Sequence, residues 1–188
     1  RFSMCAGFSG RVFYGGCPDN RLSDRIYFSK IIETNSDLGK CYQEADPTSE
    51  YISDLIPTDG GSILIPNLGT LKAMLPYGRA LLLFSSEGVW AIGPGEGGLF
   101  AATSYSVNKV SDQGCLAADS VVVGDNTPMY WSETGIYALV QDSNSGFLTA
   151  QNITQDSING LFNSIRWQEK TRVKAAYDAT RKRVFWLY

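Results

Sequence analysis

The chain has 188 residues, a formal net charge of −3 and no histidine. The length allows one large or two small domains, and 44% hydrophobic with 12% aromatic residues is enough for a packed core. Without histidine the commonest general base and the usual hydrolase triads are gone, and with no Cys-x-x-Cys pair a zinc site is not expected either.

No apolar run approaches the ~20 residues that span a bilayer, so no membrane span is expected. Arg1–Gly10 lacks the apolar core of a secretory signal. The sequence opens on arginine and stops inside the apolar run Val184–Tyr188, so an excerpt of a longer polypeptide is expected. Cys5, Cys17, Cys41 and Cys115 follow no ligand or redox spacing. Two disulfides are the alternative, but a chain this size does not need them, and free, mostly buried thiols suited to a reducing cytoplasm are expected.

Taken in order, Arg11–Tyr14 and Arg25–Ser29 read as strands of a long-looped hairpin across the turn-rich connector Gly15–Asp24. Residues 31–61 are polar, acidic and irregular, an insertion within the domain. Ser62–Ile65 is a short apolar piece; Leu68, Leu71, Met74 and Leu75 would share one helical face, but Gly69 and Pro76 bracket the run closely and Leu71, Ala73 and Leu75 alternate as in a strand, the reading preferred. Leu81–Phe84 and Val89–Ile92 flank Ser85-Ser86-Glu87-Gly88 and predict a tight β-hairpin. Gly93–Gly98 lacks the Gly-Lys-Ser/Thr ending of a phosphate loop and reads as a turn.

Ser104–Val110 and Ser120–Val123 read as strands, and Gly124–Pro128 as the turn into a second hairpin, Met129–Leu139. Asp142–Gly146 opens like a calcium loop, but Ile153 stands where the closing acid belongs, so it reads as a turn. Asn152-Ile153-Thr154 fits a glycosylation sequon, which carries little weight without a secretory signal. Ile158, Leu161, Phe162 and Ile165 predict one short amphipathic helix near 156–166, capped by Asp156 or Ser157 and packed on the core.

The two hairpins repeat. With Gly88 laid on Gly135, Phe84 falls on Trp131, Ser85 on Ser132 and Trp90 on Tyr137, an offset of 47 residues. Ala175–Leu187 is a weaker third copy that keeps the β-branched/aromatic doublet as Val184-Phe185 but has no Gly in its break, Asp178–Lys182. Such a period in β units predicts a mainly β fold of antiparallel repeated sheets, β-propeller-like and partial or complete, over residues 1–188. Trp90 and Tyr137 are expected on the inner sheet faces, with Ser85 and Ser132 capping the turns. An ordinary β-sandwich with look-alike hairpins is the alternative.

Charge is uneven. Glu33–Asp59 holds seven acids, including Glu44, Asp46 and Glu50, against one base. Arg166–Arg183 holds seven bases, including Arg181, Lys182 and Arg183, against two acids. Opposed blocks of this kind suit contacts between copies of one chain, the bland alternative being two solvated faces.

The order of motifs resembles the tail tubular protein B (nozzle) family of short-tailed bacteriophages. The likeness runs through Arg11-Val12-Phe13-Tyr14, Arg25–Lys30, the acidic stretch, Leu81–Trp90, Val107–Cys115, Val123-Gly124, Met129–Tyr137, Ala175–Asp178 and Arg183–Trp186. It implies a structural, non-enzymatic virion protein in a homo-oligomeric ring of six copies. That ring would lie below the portal and adaptor in the virion tail, enclose the DNA-ejection channel without binding DNA specifically, and help to seat the tail fibres. The subunit would be made in the bacterial host cytoplasm. The family supplies no catalytic, cofactor or metal residues to carry over, and no cofactor is expected. The competing reading is a carbohydrate-binding or glycan-cleaving propeller for host-surface attachment. Ser-Ser-Glu-Gly-Val-Trp resembles a sialidase-type Asp-box, but with Glu for Asp, a shifted Gly and no Thr.

Overall fold

Short runs of alternating burial, punctuated by glycine and proline turns, pair with their sequence neighbours throughout the chain. The computed structural model describes residues 1–19, 21–43, 55–96, 98–142 and 146–188. Within them lie strands β1 (Met4–Phe8), β2 (Arg11–Gly15), β3 (Arg25–Phe28), β4 (Gly61–Leu64), β5 (Leu71–Tyr77), β6 (Ala80–Ser85) and β7 (Gly88–Pro94). They are followed by β8 (Tyr105–Ser111), β9 (Val122–Gly124), β10 (Thr127–Trp131), β11 (Ile136–Gln141), β12 (Leu148–Asn152), β13 (Lys174–Asp178) and β14 (Arg183–Leu187). Helices α1 (Asn159–Ser164) and α2 (Trp167–Lys170) separate β12 from β13.

The fold is mainly β. The strands make four antiparallel sheets in the orders β1-β2-β3-β4, β5-β6-β7-β8, β12-β11-β10-β9 and β13-β14. The three four-stranded sheets are simple meanders. The hairpins matched in sequence are the inner pairs of two of them, β6-β7 and β10-β11. The third copy is the two-stranded sheet β13-β14. No helix among the described residues is long and apolar enough to cross a membrane.

The chain divides into two compact units, residues 1–83 with 90–108, and residues 84–89 with 109–188. In the first, Phe13, Phe28 and Phe100 form an edge-on aromatic centre, with Phe100 centroids 5.1 Å from both partners. Ile26, Ile63, Leu81, Leu83, Trp90 and Ile92 complete this core. Burial in β2 alternates, but the inward set is Arg11, Phe13 and Gly15, so an arginine occupies a core position. Pro76 falls inside β5 without cost because β5 is an edge strand and need not donate on its outer side.

In the second unit Trp131 packs on Phe162 of α1 at 5.0 Å, beside Ile136 and Val173. Asp125 and Asn126 adopt positive φ between β9 and β10, as a two-residue hairpin turn requires. Gly124 is needed for packing, since a Cβ there would lie 2.6 Å from Val184 of β14.

Several expectations change. The helix at 156–166 is shorter, begins after Ile158 without a side-chain cap, and is followed by a second helix. Its apolar face is split: Phe162 is buried and Ile165 packs on the core, whereas Ile158 and Leu161 are exposed. Ser120 belongs to a 3-10 turn, Ala118–Ser120, and the strand after it begins only at Val122. The cysteines are free, but Cys115 alone is buried; Cys5 is exposed, and Cys17 and Cys41 are half-buried. β1 and β12 had no counterpart in the sequence reading.

Candidate functional site

The first hairpin turn is closed from within. Ser85 Oγ donates to the Gly88 carbonyl (3.2 Å) and accepts from the Glu87 amide (3.2 Å). Ser85 is fully buried, whereas Glu87 is exposed. In the second turn the Ser132 amide donates to the Gly135 carbonyl at 2.8 Å. Phe84 and Trp131 are both buried; Phe84 sets its ring edge-on to Tyr130 at 5.4 Å. Trp90 is buried in the first-unit core, but Tyr137 is only half-buried and stacks on Tyr130. Phe185 is 46% exposed; its neighbours Val184 and Trp186 carry the inward face, and the Trp186 indole donates to the Ser120 carbonyl at 3.2 Å.

A polar chain surrounds the second hairpin. The buried Tyr130 hydroxyl donates to the Gln113 carbonyl and is bonded to the Ser111 hydroxyl, each at 3.0 Å. Burial holds its ionisation above the ordinary tyrosine range, which the Ser111 bond only partly offsets. Thr134 Oγ1 donates to Gln113 Oε1 at 2.8 Å, so the Tyr137 hydroxyl, also 2.8 Å away, donates to Thr134. Asn152 Nδ2 donates to the Tyr137 hydroxyl (3.4 Å), while its Oδ1 accepts from the Thr154 amide (2.9 Å) and hydroxyl (2.8 Å). The sequon residues are thus engaged in a turn, with Thr154 buried. These contacts explain Gly135: a Cβ there would meet Asn152 and Thr154 at 2.6 Å.

The expected subunit contacts fall unevenly. Arg181, Lys182 and Arg183 are all exposed at the β13-β14 turn, where Asp178 accepts from the Thr180 and Arg181 amides. Lys182 lies 3.6 Å from Asp125, with both side chains 71% exposed. Arg166, Arg172 and Lys174 are exposed as well. Lys170 is not: it is buried with its ammonium 3.9 Å above the Phe162 ring, and burial lowers its pKa against the opposing pull of Glu133.

On the acidic side Glu44, Asp46 and Glu50 lie outside the described residues. Glu33 is exposed, but Asp37 and Asp59 are buried. Asp37 accepts from the Thr34 amide and hydroxyl (2.9 Å each) and the Glu33 amide (3.3 Å), and pairs with Lys40 at 3.2 Å. Its pKa is held well below the ordinary aspartate value, chiefly by the Thr34 amide. Asp59 accepts from the Ile56 amide and lies at the end of the segment that Arg11 grips.

Arg11 is the residue that sequence reasoning missed. It is 1% exposed, and its guanidinium donates to the carbonyls of Ser29 (2.8 Å), Pro57 (2.5 Å), Thr58 (3.2 Å) and Asp59. The Phe28 and Phe100 rings lie 5.5 and 5.6 Å from its carbon. Desolvation lowers its pKa and Asp59 opposes that shift. One signal was available: an arginine at an inward position of an alternating strand needs a set of acceptors. Among the described residues, no group of three or more His, Cys, Asp or Glu is placed to hold a metal.

Neither the comparison with protein-family models nor that with curated proteins finds a match to this chain.

Proposed function

We propose that the chain is part of a structural tail protein of a short-tailed bacteriophage, a subunit of the nozzle ring around the DNA-ejection channel. The observation that supports this most is the run of three antiparallel meanders in unbroken chain order, followed by a hairpin. Propeller blades are four-stranded sheets of this kind. The residues that carry the family resemblance fall on the inner strands β2, β3, β6, β7, β10 and β11, on the edge strands β8 and β9, on the hairpin β13-β14, and in the acidic stretch, part of which lies outside the described residues. In this reading the meanders are blades, the adaptor and tail fibres are neighbours, and the protein resides in the virion tail. An acidic balance suits a conduit, since a wall that gripped phosphate would hold the departing DNA.

The exposed Arg181–Arg183 turn is the contact to the next copy, facing an acidic surface there. Native mass spectrometry and electron microscopy of the purified protein, alone and mixed with its adaptor, test the reading. A six-copy ring is expected. Reversing Arg181, Lys182 and Arg183 to glutamate should weaken it, and added salt should weaken the unmodified ring too. A monomer under both conditions rejects the ring; a ring indifferent to the reversal rejects this contact.

A further inference from the structure

An open groove of about 360 Å³ lies within the second unit, between Lys109–Gln113 at the end of β8 and residues Tyr137 and Thr149 on β11 and β12. Its volume falls at the lower end of the range for small-ligand sites, about 300–1,000 Å³.

Three features define what it takes. The first is a fixed aromatic surface. Tyr137 is half-buried, with one ring face on Tyr130 (centroids 5.8 Å, planes 24° apart), and Tyr130 is itself fully buried. Its hydroxyl sits in the chain Asn152 to Tyr137 to Thr134 to Gln113. The ring is therefore positioned before any ligand arrives, which lowers the cost of binding. The second is charge balance. Lys109 Nζ lies 2.7 Å from Asp112 Oδ1, so the wall carries both signs without a surplus of either. Neither a phosphate nor an ammonium group gains from such a wall. The third is mixed hydrogen bonding. The wall offers the Asp112 carboxylate and the Thr149 hydroxyl oxygen, whose proton goes to the Val140 carbonyl, as acceptors, and the Lys109 ammonium and the Gln113 amide as donors. The oxygen of that amide is taken by Thr134, which leaves its NH2 as the end that donates.

We infer that this groove binds a short neutral saccharide. A pyranose has a C–H face that packs on an aromatic ring, and a rim of hydroxyls that each donate and accept. The inference is independent of ring assembly, because every residue it uses lies in one unit of one chain.

The test is saturation-transfer and titration NMR on the whole chain with lactose, maltotriose, cellotriose and chitotriose. Glucose 6-phosphate and trialanine serve as the charged and peptide counterparts. At least one neutral sugar is expected to bind, with signal reaching the Tyr137 ring. Thr149→Trp, which fills the groove from an edge strand, should weaken binding about tenfold or more. Gln113→Ala should weaken it severalfold. Each variant is accepted only if its amide spectrum matches that of the parent. The inference is overturned if no neutral sugar binds, if Thr149→Trp leaves binding unchanged, or if the phosphate or the peptide binds more tightly.

Discussion

Arg11→Met removes the buried guanidinium while keeping a side chain of similar reach. Four carbonyls lose a charged donor: Ser29 on the sheet, and Pro57, Thr58 and Asp59 on the segment lying against it. Charge-assisted bonds contribute about 1.5–3 kcal/mol each, but bonds that share one side chain do not add. Leaving a buried acceptor without its donor costs about 1–3 kcal/mol, and with four carbonyls affected and the guanidinium's own desolvation relieved the net loss is about 3–5 kcal/mol. At about 2–4 °C per kcal/mol for a chain of this size, the first unit should melt roughly 6–20 °C lower. Calorimetry reads that shift, and hydrogen exchange locates it. The Ala102 amide donates to the Pro57 carbonyl and the Ile31 amide to the Thr58 carbonyl, so both should lose protection ahead of the β6 and β7 amides. Arg11→Lys should recover little, since a single ammonium cannot span the fork of acceptors. A loss below about 1 kcal/mol, with Ile31 and Ala102 still protected, would refute the clamp.

Further outcomes follow from the same contacts. Trp90→Ala should cost about 3–5 kcal/mol by emptying a core site, while Phe185→Ala, at a position 46% exposed, should cost under about 1 kcal/mol; denaturant melts compare the two. Gly135→Ala should cost about 1–3 kcal/mol, because its Cβ displaces Asn152 and Thr154, and it should also release the Tyr137 ring, visible as a shift of the tyrosine resonances. Asp37 is more acidic folded than unfolded, so its contribution is complete above the ordinary aspartate range and is lost as pH falls toward its own lower pKa. An acid titration of stability in Asp37→Asn should therefore lack part of the decline that the parent shows below about pH 4; superimposable profiles would remove Asp37 from that decline.

The inner strands were legible because they carry dense apolar, β-branched and aromatic runs bounded by turns. Leu81–Ser85 is buried at every position, and Gly88 and Gly135 punctuate hairpins that hold the same place in their meanders. The two strands that escaped notice, β1 and β12, are both edges with the same alternation of half-buried and exposed residues. An edge strand needs one neighbour and one covered face; LTAQN has only two apolar residues, and MCAGF, though largely apolar, has no β-branched residue and no apolar/polar alternation to announce a strand. The short helix was visible by period, but period does not say how much of a face is covered. Phe162 reaches the Trp131 core while Leu161, one position earlier, is left in water.

Charge was legible as a count and misleading as a surface. Seven acids in 33–59 suggest one uniformly negative face, yet Asp37 is consumed by Thr34, Glu33 and Lys40, and Asp59 lies buried under Arg11. Both carboxylates are spent on local turns, Asp37 at 33–40 and Asp59 on the Ile56 amide. The basic block keeps more of its charge outside: six of its seven cations are exposed, and only Lys170 turns inward onto an aromatic ring. A sequence cannot separate these cases, because a buried charge differs from a solvated one only in the acceptors and donors the fold brings to it. Arg11 is the extreme example. Its four carbonyl partners come from up to 48 residues away, so the local sequence showed at most an arginine in step with an alternating strand and nothing of the acceptors that bury it.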